Sequence, residues 1–376
     1  MKKKRKIKVK PKALSIFKIL GVILCICLGL FLFYLKQIND LTKLGYSKEA
    51  SQNILFSFKK DYVTKIGPNK TINRAFEDKD NYIEDNLDNY RKVKYVDHKD
   101  LISNINKALK IGYKPNDINM IFAHGDNDSV KRFLKRDKVK YLEEFFTIDY
   151  AKLDNYDRYL KYADDTGEDE NTTVLYINLD MDKEDYTEAK LVDKFSIDML
   201  VNKHRNLSEK FEPSDLMTIP SDYASEDDLQ SSRIAFNAFK EMSDKASSEG
   251  YGIVINSAYR SYSDQVELAE YYLKWYGQSY VDKYVAKPGF SEHQTGLAYD
   301  IGSRTVNTFA NSKEYEWMKD NAYKYGFIER FTLKWENITG FRKEPWHYRY
   351  VGKEVAKYIH EHNISYEEYY MLFLDK

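Results

Sequence analysis

The chain has 376 residues, more than one ordinary hydrophobic core serves, so two or more structural units are expected. Hydrophobic residues at 43% and charged residues at 31% exclude a wholly disordered chain and a polytopic membrane protein. Lys plus Arg and Asp plus Glu both number 59, but ten bases and one acid fall in the first forty residues, leaving 49 bases and 58 acids, a net of about −9, in the rest. A basic head on a mildly acidic body argues against a nucleic-acid binder and for a protein sorted across a membrane.

Residues 1–12 are dominated by Lys and Arg, and residues 13–35 are apolar apart from Ser15 and Lys18. As a helix the apolar run spans about 34 Å at 1.5 Å per residue, enough to cross a bilayer core. Lys18 lies at the basic end and can reach the interface. The positive-inside rule keeps the Lys-rich end in the cytosol and puts everything after Lys36 outside. A cleaved signal peptide fits less well, because the run is long and no A-x-A-like site follows it. A lipoprotein anchor lacks a small residue before Cys25 or Cys27. Both cysteines lie inside this helix, so the exported body has no disulfide and no Cys-held metal.

Residues 39–165 are polar, Lys/Asp/Tyr-rich and mostly helical in pattern, and are expected to form a stalk or accessory module of short helical hairpins. A weak echo supports repetition: Lys43-Leu-Gly-Tyr46 leads to Ile54-Leu55, and Lys110-Ile-Gly-Tyr113 leads to Ile121-Phe122 at the same offsets. Residues 164–171 are acidic and lack a hydrophobic run, which predicts a linker, with a short strand at 174–177 beyond it. Further on, helices are expected at 229–248, 264–276 and 314–325, and strands at 252–256, 297–301 and 347–351. Gly277 and Gly326 suit helix ends. The elements interleave without a βαβ rhythm, so the fold class is α+β.

Seven histidines are present, and His98, His124, His204, His360 and His362 read as solvated or structural. His293 stands in Phe290-Ser-Glu-His-Gln-Thr-Gly-Leu-Ala-Tyr-Asp300. An imidazole and a carboxylate are suitable zinc ligands, but one pair is a weak signal; His293 capping its loop and Asp300 ending a strand is the alternative. Glu344-Pro-Trp-His347 offers a third ligand in His347 and a candidate general base in Glu344. Three protein ligands plus a water is the arrangement of a catalytic zinc site. Pro345 forbids a regular helix here. Ser257-Ala-Tyr-Arg-Ser261 follows a buried strand, where Arg260 either holds a substrate carboxylate in a bidentate pair or forms an internal salt bridge. Gln265 follows closely enough to add an amide.

Together, in this order, these three motifs resemble those of the VanY-type D-alanyl-D-alanine carboxypeptidases, within the zinc peptidase superfamily that also holds LD-carboxypeptidases and VanX-type dipeptidases. The resemblance covers residues 200–355. It also rests on Leu200-Val-Asn-Lys203, Pro213, Gly250, Trp317, Asn321-Ala322, Tyr325-Gly-Phe327, Thr339-Gly340 and Tyr348-Arg-Tyr-Val-Gly352. It implies a small antiparallel sheet flanked by helices and one zinc held by His293, Asp300 and His347. Glu344 would be the base, and Arg260, Gln265 and Ser291 would bind substrate. Two departures stand out: Ala258 where the family has Gly, which would be strained at positive φ, and Thr332 where a Pro is common.

The expected protein is therefore a single-pass membrane enzyme with its zinc domain at 171–376 outside the cell. It would remove a C-terminal D-amino acid, D-alanine, from peptidoglycan stem peptides. Cleavage of an L,D bond, an endopeptidase cut and a non-catalytic wall-binding module are the alternatives. The resemblance does not reach residues 39–165.

Overall fold

A computed structural model describes residues 11–375. Of the basic head expected in the cytosol, residues 1–10 lie outside the described residues. The chain divides into two compact units, one reaching to Thr147 and one beginning at Ile148.

The first unit is helical. Helix α1 (Pro11–Lys43) contains a segment, Lys18–Lys43, long and apolar enough to cross a membrane. Its apolar side chains from Ile19 to Phe33 are exposed, whereas Ile38 and Leu41 near its end are buried. Eight short helices follow: α2 (Lys48–Phe56), α3 (Lys60–Ile66), α4 (Lys70–Glu77), α5 (Leu87–Lys92), α6 (Leu101–Ile111), α7 (Pro115–Ala123), α8 (Asn127–Phe133) and α9 (Leu142–Phe146). The sequence echo has a structural counterpart. Gly45 and Gly112 both adopt positive φ, and Tyr46 and Tyr113 behind them are buried. The Tyr46 hydroxyl donates to the Gly67 carbonyl, and the Tyr113 hydroxyl accepts from the Val139 amide. Each tyrosine thus ties its own hairpin to the next.

The second unit opens with α10 (Tyr156–Thr166) and α11 (Glu170–Asn178), so two expectations fail here. Residues 164–171 are a helix end and a helix start, with Asp169 capping α11 through the Thr172 amide, and 174–177 is helix rather than strand. The reason is packing: Leu175 and Leu179 join Tyr366 and Met371 in one apolar cluster, a surface that a short strand would not supply. Two minor pairs follow, β1 (Lys190–Leu191) with β2 (Arg205–Asn206) and β3 (Leu216–Thr218) with β4 (Gln230–Ser232).

The central sheet contains β5 (Ile253–Ser257), β6 (Ala298–Ser303), β7 (Phe327–Glu329) and β8 (His347–Tyr350), antiparallel throughout in the order β5-β6-β8-β7. The expected strands at 252–256, 297–301 and 347–351 are within a residue or two of these bounds. Beside the sheet lie α12 (Arg233–Ser248), α13 (Tyr262–Tyr276), α14 (Gln278–Tyr284), α15 (Lys313–Asn321), α16 (Glu336–Thr339), α17 (Lys353–His362) and α18 (Tyr366–Phe373). The architecture is α+β with small sheets, antiparallel except for the parallel β1–β2 pair.

Side chains alternate across a strand, so the central sheet has two distinct faces. Ile253, Ile255, Tyr299, Ile301, Tyr348 and Tyr350 form one core with Phe239 and Met242 of α12 and Met318 of α15. Asp300, His347 and Arg349 lie on the opposite face. The turn before β7 depends on Gly326, at φ +90°. An added Cβ there would lie 2.8 Å from Tyr350 Cε2 and 2.9 Å from the Gly352 carbonyl carbon. Gly326→Ala is therefore expected to lower the unfolding free energy by more than about 1 kcal/mol in denaturant titration; an unchanged midpoint would mean the turn tolerates a side chain.

Candidate metal centre and active site

The register of β6 against β8 brings the first two ligands together. Asp300 stands directly opposite His347, and directly opposed residues share a face. His293 comes from the 3₁₀ turn Glu292–Thr295 that leads into β6. Gly296 closes this turn at φ +66°, where a Cβ would meet the Ser232 amide nitrogen at 2.9 Å. His293 Nε2 and His347 Nδ1 each lie 3.4 Å from Asp300 Oδ1. One ligand atom from each of the three residues lies within 4.8 Å of the others.

The remaining ring nitrogens orient this set. His293 Nδ1 is 2.7 Å from the Ala258 carbonyl, which only accepts, so Nδ1 carries the hydrogen and Nε2 turns a lone pair inward. His347 Nε2 is 3.2 Å from Glu292 Oε2, which leaves Nδ1 facing Asp300. Asp300 Oδ1 is buried and has no hydrogen-bond partner. Two imidazole nitrogens and one orphaned carboxylate oxygen form a cluster positioned to bind a divalent metal, consistent with zinc. Ala258, the departure from the family's glycine, is not among the residues with positive φ and carries no strain of that kind.

Charges in the site follow from these contacts. Burial would raise the Asp300 carboxyl, but His293 and His347 hold it well below the usual range. Burial lowers His293, so that ring stays neutral. Burial would also lower His347, but Asp300 and Glu292 outweigh it and push the imidazole up to about 9. A proton on Nδ1 and a metal ion therefore compete for the same position. Burial raises Glu344 to about 7, against the opposing pull of His347. Glu344 Oε2 lies 3.7 Å from His347 Nδ1.

A cleft of about 270 Å³ contains all seven residues singled out from the sequence. In it, Arg260 donates to Gln265 Oε1 at 2.8 Å and to Ser257 Oγ at 3.1 Å. Its backbone amide donates to the His293 carbonyl at 3.2 Å. No carboxylate pairs with this guanidinium among the described residues, which rules out the internal salt bridge. Gln265 is buried, and its amide nitrogen donates to the Ala286 carbonyl at 2.7 Å. Both ends of Gln265 are thus engaged, and it steers Arg260. Ser291 caps the turn before His293, accepting from the His293 amide.

The family profile described as VanY: D-alanyl-D-alanine carboxypeptidase matches residues 228–353. The chain is 42% identical over 179 residues to the putative carboxypeptidase YodJ of Bacillus subtilis, covering 46% of this chain and 66% of that protein. It is 38% identical over 139 residues to a D-alanyl-D-alanine carboxypeptidase of Enterococcus faecalis, covering 35% and 52%. With the bifunctional D-Ala-D-Ala dipeptidase and carboxypeptidase VanXYC of Enterococcus gallinarum it shares 33% identity over 178 residues, 46% of this chain and 92% of that one. The chain belongs to the D-alanyl-D-alanine carboxypeptidase and VanX-type superfamily of zinc peptidases. Two of these relatives are spanned over less than two thirds of their own length.

In this superfamily member, part of the site rests on residues to which the sequence assigned no role. Glu292 sits beside His293 and links His347 to a buried ionic chain. Its Oε1 accepts from Arg330 Nε at 2.9 Å and from Arg349 Nη1 at 3.2 Å. Arg330 in turn makes a bidentate pair with Glu367 of α18, through Nη1 at 3.0 Å and a shorter contact from Nη2. Arg349 also donates to the Met199 carbonyl at 2.8 Å. All four side chains are essentially inaccessible. The two arginines hold the Glu292 carboxyl well below its usual range despite its burial. No spacing pattern announces this chain; the only sequence signal is an acid or base inside an otherwise apolar run, as in Tyr348-Arg349-Tyr350.

Breaking the network should separate stability from metal binding. Glu367→Ala leaves Arg330 buried with half its compensation, so about 3–5 kcal/mol of unfolding free energy should be lost. Glu292→Gln should weaken zinc about ten- to a hundredfold in a chelator competition, although Glu292 touches no metal. Wild-type zinc affinity in Glu292→Gln would show that His347 is oriented without it.

Proposed function

We propose that this chain is a membrane-tethered zinc carboxypeptidase of the VanY type that removes a C-terminal D-alanine from peptidoglycan stem peptides outside the cell. The observation that carries this reading is the guanidinium of Arg260, free of any carboxylate, in one cleft with the His293/Asp300/His347 cluster and Glu344. Arg260 is part-buried, and a cation drawn partly out of water without a paired anion is costly, so the group suits an anionic ligand, and a terminal carboxylate matches its planar fork. Likeness to a D-alanyl-D-alanine carboxypeptidase and to a D-Ala-D-Ala dipeptidase and carboxypeptidase supports the D-Ala-D-Ala bond as the substrate chemistry.

In this reading Arg260, steered by Gln265 and Ser257, holds the C-terminal carboxylate and sets the scissile carbonyl against the ligand cluster. His293, Asp300 and His347 would hold the zinc, which would supply Lewis-acid polarisation of that carbonyl and lower the pKa of the attacking water. Glu344 receives the proton of that water on its carboxylate and returns it to the leaving amine nitrogen. Its raised affinity for protons, about 7, suits both transfers near neutral pH. Hydrolysis then yields a shortened peptide and one free amino acid. Helix α1 keeps the Lys-rich end in the cytosol and the catalytic unit outside.

Digestion of purified pentapeptide and tetrapeptide muropeptides by the full-length protein is the deciding experiment. Release of D-alanine from the pentapeptide is expected; release only from the tetrapeptide would make the enzyme an L,D-carboxypeptidase, and no release would leave a binding module. Glu344→Gln should keep its zinc and fold while turnover falls about 10²–10⁴-fold, because the amide cannot accept the proton. Joint loss of zinc and activity would instead make Glu344 a ligand.

Arg260→Lys keeps the charge but not the fork, and losing one charge-assisted hydrogen bond costs about 1.5–3 kcal/mol. Its kcat/KM should therefore fall about ten- to a hundredfold. Wild-type turnover would make Arg260 structural.

A further inference from the structure

Helix α1 does not end where its apolar run ends. Past Leu35 it continues for about two turns to Lys43, burying Ile38 and Leu41. Residues 44–47 then reverse the chain, and α2 runs back packed against α1. The outward stretch from Leu35 to Lys43 is about 12 Å, and the nine residues of α2 return about 13 Å. The end of α2 therefore comes back to the level where the apolar run stops. The rings of Tyr34 and Phe56, 6.3 Å apart, confirm that level directly.

What α2 presents there is unusual. It ends with the Phe58 amide donating to the Leu55 carbonyl at 3.2 Å and the Lys59 amide to Ile54 at 3.0 Å, the paired bonds of a Schellman motif. The residue between, Phe58, stands at φ +58°, the left-handed position that glycine normally takes. A bulky side chain in that conformation is a genuine outlier. Yet Phe58 is 93% exposed, and Phe56 is 71% exposed despite its contact with Tyr34, so packing within the protein leaves most of both rings uncovered. The lysines that follow are turned to other work: Lys59 pairs with Glu84, and Lys60 contacts Gln37 and, at 4.0 Å, Asp40.

We propose that Phe56 and Phe58 seat in the interfacial layer of the bilayer that α1 crosses, making the α2–α3 turn a second membrane contact beside the span. This rests on reading α1 as a membrane span. Aromatic rings at that depth bury their faces among the upper acyl chains, while Lys36 remains at the headgroups. The hairpin of α1 and α2 then meets the surface at two points, which fixes the tilt of the first unit on the membrane.

Depth measurement by spin labelling tests this. The full-length protein, with Cys25→Ser and Cys27→Ser, is reconstituted in phosphatidylethanolamine/phosphatidylglycerol vesicles and labelled singly at Ser57→Cys, Leu28→Cys or Lys107→Cys. Collisions with oxygen and with a water-soluble nickel complex report depth. The expected result is a deep label at Leu28, an aqueous one at Lys107 and an interfacial one at Ser57. A deep Leu28 with an aqueous Ser57 overturns the proposal and leaves the span intact. An aqueous Leu28 overturns both. Spin–spin broadening at Ser57, relieved by unlabelled protein, assigns the rings to a second copy and also overturns it. Phe58→Gly is the folded control: its melting midpoint should hold or rise, and the Ser57 label should move toward water. A lower midpoint would place Phe58 in the protein's own packing and overturn the proposal.

Discussion

The catalytic unit is built around a buried alternation of charges, Glu367–Arg330–Glu292–Arg349. None of the four is tolerable there alone, because each has lost its water. They come from α18, from the segment after β7, from the turn before β6 and from β8. These pieces must therefore meet in one arrangement or leave a charge stranded. The same Glu292 that completes the chain accepts from His347 Nε2, which turns Nδ1 toward Asp300. A C-terminal helix that touches no ligand thus helps set the metal geometry, through a single shared carboxylate.

The central sheet works as a ruler for the rest. Opposition of Asp300 and His347 across β6 and β8 fixes their separation, and the two-residue alternation sends Tyr299 and Tyr348 into the core on the other side. A one-residue slip would exchange the two sets and bury the ligands among aromatics. The arginines show the complementary logic. Arg330 and Arg349 are neutralised by carboxylates and are structural, whereas Arg260 is held only by neutral partners beside Asp300 and Glu344. The cleft therefore keeps a positive group in reserve next to a negative cluster, an arrangement suited to a ligand that brings its own carboxylate.

The first unit follows a different principle. Past α1 its helices are too short to stand alone, and buried groups such as Tyr46, Asn53 and Tyr113 tie neighbouring hairpins together. Buried Asn53 donates to the Phe76 carbonyl, and the more exposed Asn119 to the Lys92 carbonyl, across gaps of similar length. The unit grows from the end of α1, so the first arm of its first hairpin and the apolar segment are one continuous helix.

Much of this was legible in the sequence, for local reasons. A long apolar run needs no partner to be recognised, and glycines such as Gly45, Gly112, Gly296 and Gly326 announce turns because few other residues adopt their backbone. The chemistry-bearing residues His293, Asp300, Glu344, His347 and Arg260 stood in compact motifs, and the structure gathers them in one cleft. What the sequence could not give depends on distant residues. The segment at 174–177 reads as a strand by composition and is helix because α18 packs against it, nearly two hundred positions away. Gln265 reads as a substrate amide, and its bonds to Arg260 and to the Ala286 carbonyl are added by folding alone, which brings Ala286 to its other end. Glu292, Arg330, Arg349 and Glu367 carry no periodicity at all. Composition and spacing determine which groups are available, but which charges lose their water together is decided only when the chain closes on itself.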